Sequence, residues 1–207
     1  MGHQDTRDRI LDAAERLFAQ HGFSSTSLRA VTGEAEVNLA AVNYHFGSKN
    51  SLLEAIMERR ITPLNNRRLE MLNKTCQCKE SMNVRNIISS FIKPTLQLLN
   101  KGPQKRYFIQ LVGRVLAEQD GPEKEVFHHH MLPIFPPFIA SLRNIRPNLS
   151  RRKITWGLLF SIGAITFSIR MFCNPDDFLN SDIAIDLEKL EEMLINFVTS
   201  GLEATYA

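Results

Sequence analysis

Two short runs of helical spacing, separated by three residues, constrain this chain more than any other feature. Leu28–Ala35 places Leu28, Val31 and Ala35 on one side of a helix. Residues 36–38, Glu-Val-Asn, interrupt it. Leu39–Phe46 then places Val42 and Phe46 at i and i+4, where both pack inward with Val37 from the turn. Gly47-Ser48 stops this second helix and caps another that begins at Lys49. A short helix, a tight turn and a second short helix make a helix-turn-helix layout, in which the second helix can enter a DNA major groove.

The remaining sequence reads as helices throughout. Ile10, Leu11, Ala14, Leu17 and Phe18 have helical spacing. Asp5 or Thr6 can cap that helix, Gly22 can stop it, and Phe23 can fold back on it. The helix from Lys49 is expected to reach about Leu72, with a polar loop at 73–80. Further helices are expected over 81–99, 104–118, 123–145, 150–173 and 185–205. Pro133, Pro136 and Pro137 should kink or split the third of these. The predicted fold is all-α: an N-terminal three-helix helix-turn-helix domain (residues 1–50), then a C-terminal helical ligand-binding and dimerisation domain (51–207).

Composition excludes several classes. At 207 residues and 43% hydrophobic the chain can bury a real core. Three cysteines, two of them at 76 and 78, make no disulfide framework and point to a reducing cytosol. A Cys-x-Cys without a second pair is a poor zinc signal. His128-His129-His130 cannot form one metal face, because adjacent helical positions point about 100° apart. No metal site, cofactor, Gly-rich phosphate loop or nucleophile elbow is expected, so an enzyme is not. No charged-then-apolar leader is read at the N-terminus. Residues 154–172 carry only Arg170 as a charge and follow Arg151-Arg152-Lys153, which raises a single membrane span beneath a DNA-binding head as the alternative. Thr155, Gly157, Ser161, Gly163, Thr166 and Ser168 within it favour a helix buried between other helices, and a cytoplasmic protein without a membrane partner.

Charge is uneven. Residues 1–59 carry six Lys/Arg against eight Asp/Glu, whereas residues 60–114 carry eleven against two. The reader segment is therefore not basic overall, and DNA binding must rest on particular donors. With Val42 and Phe46 inward, Ala40, Ala41, Asn43 and Tyr44 lie on the other side. Two alanines allow close approach to the groove floor, and Asn43 can pair bidentately with adenine. Tyr44 and Lys49 can reach phosphates, as can Thr26 or Ser27 at a helix start. Arg29 lies on the outward side of its helix. Asn38 and His45 complete the candidate DNA-facing set.

These residues carry a resemblance. The text T-R-D-R-I-L-D-A-A-E-R-L-F-A-Q-H-G-F, then T-S-L-R-A-V, then V-N-L-A-A-V-N-Y-H-F-G-S-K, over residues 6–60, resembles the DNA-binding domain of the TetR (tetracycline-repressor) family of bacterial regulators. The resemblance implies that Ser27, Tyr44 and Lys49 contact phosphate. It implies that Arg29, Ala40, Ala41 and Asn43 face bases or nearby backbone. It also implies that the last two helices form a dimer interface. Two positions depart from the family pattern. Glu36 stands where glycine is usual, at a cost of about 1 kcal/mol if its backbone is left-handed. Thr32 stands for a usual alanine, and its hydroxyl is expected to bond the Leu28 carbonyl.

The C-terminal part is expected to hold the sensor. Phe91, Phe108, Phe127, Trp156 and Phe160 are candidates to line a cavity for an apolar or amphipathic small molecule of unknown identity. The positive middle segment can favour an anionic head group. One short reader helix makes too few contacts for specific binding. A homodimer reading a near-palindromic double-stranded DNA operator is therefore expected. Gly157, Ser161, Ala164 and Ser168 form a small-residue stripe that would let helices of two subunits approach closely, the competing arrangement being packing of the stripe within one subunit.

Overall fold

The computed structural model describes residues 3–99, 103–117, 121–173 and 186–205. Its helices are α1 (His3–His21), α2 (Leu28–Glu34), α3 (Leu39–Phe46), α4 (Lys49–Gln77), α5 (Val84–Leu99), α6 (Pro103–Ala117), α7 (Pro122–Met131), α8 (Phe135–Ile145), α9 (Arg151–Cys173) and α10 (Leu187–Thr205). No strand occurs among the described residues. The expected all-α architecture is what the chain adopts. The helix from Lys49 runs on to Gln77, through most of the polar stretch expected to be a loop; its solvent-facing side tolerates that polarity. The proline-rich stretch splits as expected, a 3₁₀ turn at Leu132–Ile134 separating α7 from α8. The loop expected at 174–181 lies outside the described residues.

The helices cluster into two compact units. One comprises residues 1–62 with 101–130, the other 63–100 with 131–207. Packing thus groups α6 and nearly all of α7 with the N-terminal helices, a different division from the one expected at residue 50.

In the first unit, Ile10, Leu11, Ala14 and Phe18 of α1 are buried with Val31, Val42, Leu52, Leu53 and Ile56. Phe18 and Phe23 meet edge to face, centroids 5.2 Å apart, so the chain does fold back after Gly22. A buried ion cluster fastens α4 to α1. Glu15, 2% exposed, accepts from Arg60 Nε at 2.9 Å and Nη2 at 2.7 Å, and from Arg59 Nη2 at 2.6 Å. Arg59 also pairs with Asp12 at 2.8 Å. Arg114 of α6 donates to the carbonyls of Ala19 and Gln20, both at 2.7 Å, and so caps the C-terminal end of α1 with positive charge. His130 ties α7 to α4, its Nε2 lying 2.7 Å from Glu54 Oε2 and its Nδ1 3.4 Å from Glu58 Oε2. Only His128 and His129 of that run are solvated.

In the second unit, α5 packs against α8, α9 and α10. Ile87, Ile88, Phe91, Ile92 and Leu96 are buried there with Phe138, Leu142, Ile154 and Leu158. α9 is not apolar-buried all round. Ile154, Leu158, Ile162, Ile165 and Ile169 are buried, while Trp156, Leu159, Phe160 and Phe167 are exposed, as are Met193 and Phe197 of α10.

Candidate nucleic-acid interface

The reader is rooted by Val42, fully buried, and Phe46, as the spacing predicts. Two side-chain caps set the helix starts. Ser27 Oγ accepts from Ala30 N at 3.1 Å, and Asn38 Oδ1 from Ala41 N at 2.9 Å. Asn38 therefore spends its carbonyl on the first turn of α3. Ser48 Oγ likewise accepts from Ser51 N at 3.0 Å and starts α4. Between α2 and α3 the chain turns at Glu36, with φ +53°. It is the one positive-φ residue other than glycine among the described residues. The left-handed backbone considered for Glu36 is the one it adopts.

On the outward side of α3, Ala40 and Asn43 are exposed, Ala41 is half-buried, and Tyr44 is 75% exposed. His45 is half-buried, its ring 5.2 Å from that of Tyr44 and 6.0 Å from that of Phe46. Arg29 is exposed on α2. Lys49 is half-buried: its ammonium lies 4.3 Å from the Phe23 ring centroid and donates to Ser24 O at 3.4 Å. Loss of solvent pulls its pKa below the usual lysine range, and the charge of Glu123 opposes that shift. A phosphate oxygen would add to the same opposing effect.

Two expectations need correction. Thr26 is buried, and its hydroxyl lies 2.8 Å from Gly22 O and 3.3 Å from Leu17 O. It locks the α1–α2 turn and does not face a phosphate. The Thr32 hydroxyl donates to Arg29 O at 2.9 Å, three residues back, not to Leu28. Sequence reading also missed what holds α2 on α1. Arg9 donates to Ala35 O at 3.2 Å, and Arg16 pairs with Glu34. The signal was available in the i, i+7 spacing of Arg9 and Arg16 along α1.

The sensor candidates divide. Phe91 is core of the second unit, meeting Phe138 edge to face at 5.2 Å. Phe108 and Phe127 are core of the first unit. Trp156 and Phe160 are exposed on α9, 55% and 67%, and do not line an enclosed cavity. The small-residue stripe divides too. Ser161 is fully buried, and a Cβ on Gly157 would overlap Leu202 of α10. Gly157 serves close packing of α9 on α10 within the chain, the competing arrangement, and the Ser161 hydroxyl donates back to Gly157 O at 2.8 Å. Ala164 and Ser168 are half-buried. No cluster of three or more metal-ligating side chains occurs among the described residues.

An eight-residue helix with a wet polar face, held by a capped turn and a buried apolar root, defines a helix-turn-helix DNA-binding unit. Comparison with known proteins agrees. The family model "Bacterial regulatory proteins, tetR family" matches residues 10–56, and "Tetracyclin repressor-like, C-terminal domain" matches residues 89–201. The second match alone spans more than half the chain, which belongs to the TetR family of bacterial regulatory proteins. It places α9, the one described helix long and apolar enough to cross a membrane, within that domain, and the membrane-span alternative is not supported.

The HTH-type transcriptional regulator AcrR of Shigella flexneri is 47% identical over 55 residues, 27% of this chain and 26% of that protein. The probable regulator YttP of Bacillus subtilis is 42% identical over 52 residues, 25% of each. The chain thus spans about a quarter of the length of these curated relatives. Among solved structures, the fatty acid degradation regulator FadR from Bacillus halodurans aligns with TM-score 0.71 at 13% identity, over 95% of this chain and 96% of that one. SmeT, repressor of the Stenotrophomonas maltophilia efflux pump SmeDEF, aligns with TM-score 0.65 at 20% identity, over 95% and 91%. Both share the fold.

Proposed function

We propose that the protein is a cytoplasmic transcriptional repressor that binds a near-palindromic operator as a homodimer and is released by an apolar or amphipathic small molecule. The single observation that carries the reading is the outward face of α3: Ala40, Asn43 and Tyr44 stand in solvent while Val42 and Phe46 anchor the helix. Tyr44, Lys49 and Ser27 hold phosphates, and Asn43 with Arg29 reads bases. Residues 1–50 form the reader, and residues 51–207 carry effector binding and dimerisation.

Support for the dimer comes from Trp156, Leu159, Phe160, Phe167, Met193 and Phe197. These large apolar residues are exposed on α9 and α10, where a second copy can cover them. The interface thereby moves from the small-residue stripe to the aromatic side of the same helices. Support for the effector comes from similar folds solved with ligands: FadR from Bacillus subtilis in complex with stearoyl-CoA, and SmeT in complex with triclosan. Release is a population shift, in which effector favours a spacing of the two reader helices that no longer matches successive major grooves.

The test is selection of bound DNA from a random pool, then gel shifts with variants. Tyr44→Phe and Lys49→Ala should weaken binding to all sequences alike. Asn43→Ala should relax preference at one base pair by about 1–3 kcal/mol. Unchanged affinity in the Tyr44 and Lys49 variants refutes the phosphate assignment.

A further inference from the structure

Arg68, in the second unit, is 2% exposed and has no carboxylate partner among the described residues. Its acceptors are neutral. Nε donates to Phe91 O at 3.1 Å, Nη1 to Asn65 Oδ1 at 3.1 Å, and Nη2 to Thr95 Oγ1 at 2.8 Å. A fourth contact, from Nη1, is to the thioether sulfur of Met131 at 3.6 Å. The guanidinium lies over the Phe91 ring, 4.2 Å from its centroid. Buried cations are ordinarily paired with an anion, because desolvation costs several kcal/mol that neutral dipoles offset only in part.

A purely structural reason does not require the charge. Pro94 interrupts the hydrogen bonding of α5, and Arg68 reaches the Phe91 carbonyl beside that break. One neutral donor would serve there. A guanidinium has five N–H groups, and three of them meet a strong acceptor. The remaining two have, at best, the Met131 thioether, which is a weak acceptor on a flexible, unbranched side chain. A cation held dry, with donors to spare and a movable stopper against it, is built to accept an anion.

We propose that Arg68 is the anion-recognition residue of the effector site, and that the effector is an amphipathic carboxylate whose head displaces Met131 sulfur from the guanidinium. The tail takes the apolar surroundings of Phe91, Phe138 and Met131, all buried. This rests on the reading of the chain as an effector-released repressor and names the effector's class. Burial pulls the Arg68 pKa down to about 9, and a bound anion would push it back up.

The experiment is titration calorimetry on the full chain with decanoate, 1-decanol and acetate, below micellar concentrations. Decanoate should bind at least tenfold more tightly than decanol, and acetate should bind more weakly than decanoate. Arg68→Met should bind decanoate and decanol alike, and Arg68→Lys should keep the preference. If Arg68→Met fails to fold by circular dichroism, pH decides on the unaltered protein: decanoate affinity should fall as pH rises through about 9, while decanol affinity stays level. Failure of decanoate to bind, equal affinity for decanoate and decanol, or a preference that survives in Arg68→Met overturns the proposal. Gel shifts separate it from the broader reading. Decanoate that binds through Arg68 but leaves DNA complexes intact upholds the anion site and refutes release. DNA binding with no decanoate binding refutes the anion site and leaves the repressor reading standing.

Discussion

Glu36 offers a test of backbone strain inside a DNA reader. Its φ is +53°, and its amide nitrogen bonds Gly33 O at 3.3 Å while Val37 N bonds Thr32 O at 3.0 Å. The turn is held on both sides, so the residue cannot relax without releasing α3. A left-handed conformation costs a residue with a Cβ roughly 1–2 kcal/mol. Glycine removes that cost but gains about 0.4–1 kcal/mol of extra freedom in the unfolded chain. The net expectation for Glu36→Gly is stabilisation by about 0.5–1 kcal/mol, or about 1–4 °C in melting temperature for a chain of this size. The exposed carboxylate also lies beside the reader helix, where removing it should tighten DNA binding at low salt. Glu36→Ala separates the effects, because alanine loses the charge but keeps the strain. Calorimetric melting should rank Gly above Ala, with Ala close to the unaltered protein, and gel shifts should show both variants binding DNA more tightly. If Glu36→Gly melts no higher than Glu36→Ala, the strain argument is refuted.

Glu15→Gln should destabilise the first unit by about 3 kcal/mol in urea melts, since it leaves the buried Arg60 guanidinium facing a neutral amide. A loss under 1 kcal/mol would show the cluster to be incidental. Phe160→Glu with Phe197→Glu, at positions 67% and 71% exposed, should convert a dimer to a folded monomer by light scattering and abolish specific DNA binding. An intact dimer would move the interface elsewhere. Burial holds Arg68 well below the ordinary arginine range, at about 9, so above that pH the unfolded chain binds more protons than the folded one. Its charge therefore weighs against folding below about pH 9, and that penalty is relieved as pH rises above it. The melting-temperature difference between the unaltered protein and Arg68→Met should shift in favour of the unaltered protein between pH 8 and pH 11. A constant difference would refute the assignment.

The reader was legible because its determinants are local. Ser27 and Asn38 as caps, Gly22 and Gly47 as stops, and Val42 with Phe46 at i, i+4 each act within one turn of where they stand. The aromatic candidates were not legible to the same degree. Phe91, Trp156 and Phe160 have the same chemistry in sequence, yet one is sealed in a core and two stand in solvent. Hydrophobicity predicts that a side chain seeks burial but not which partner supplies it.

The sequence alone determined the helical class, the three-residue turn and the outward set on α3. These follow from short-range sterics, capping and the 3.6-residue period. Only the tertiary structure decided the long-range pairings. It withdrew Thr26 into the α1–α2 turn, drew Gly157 against α10, and brought Arg59 and Arg60 onto Glu15 across more than forty residues. It also enclosed Arg68 among neutral acceptors. Such contacts depend on which helix faces cross in space, and no local pattern along the chain encodes that.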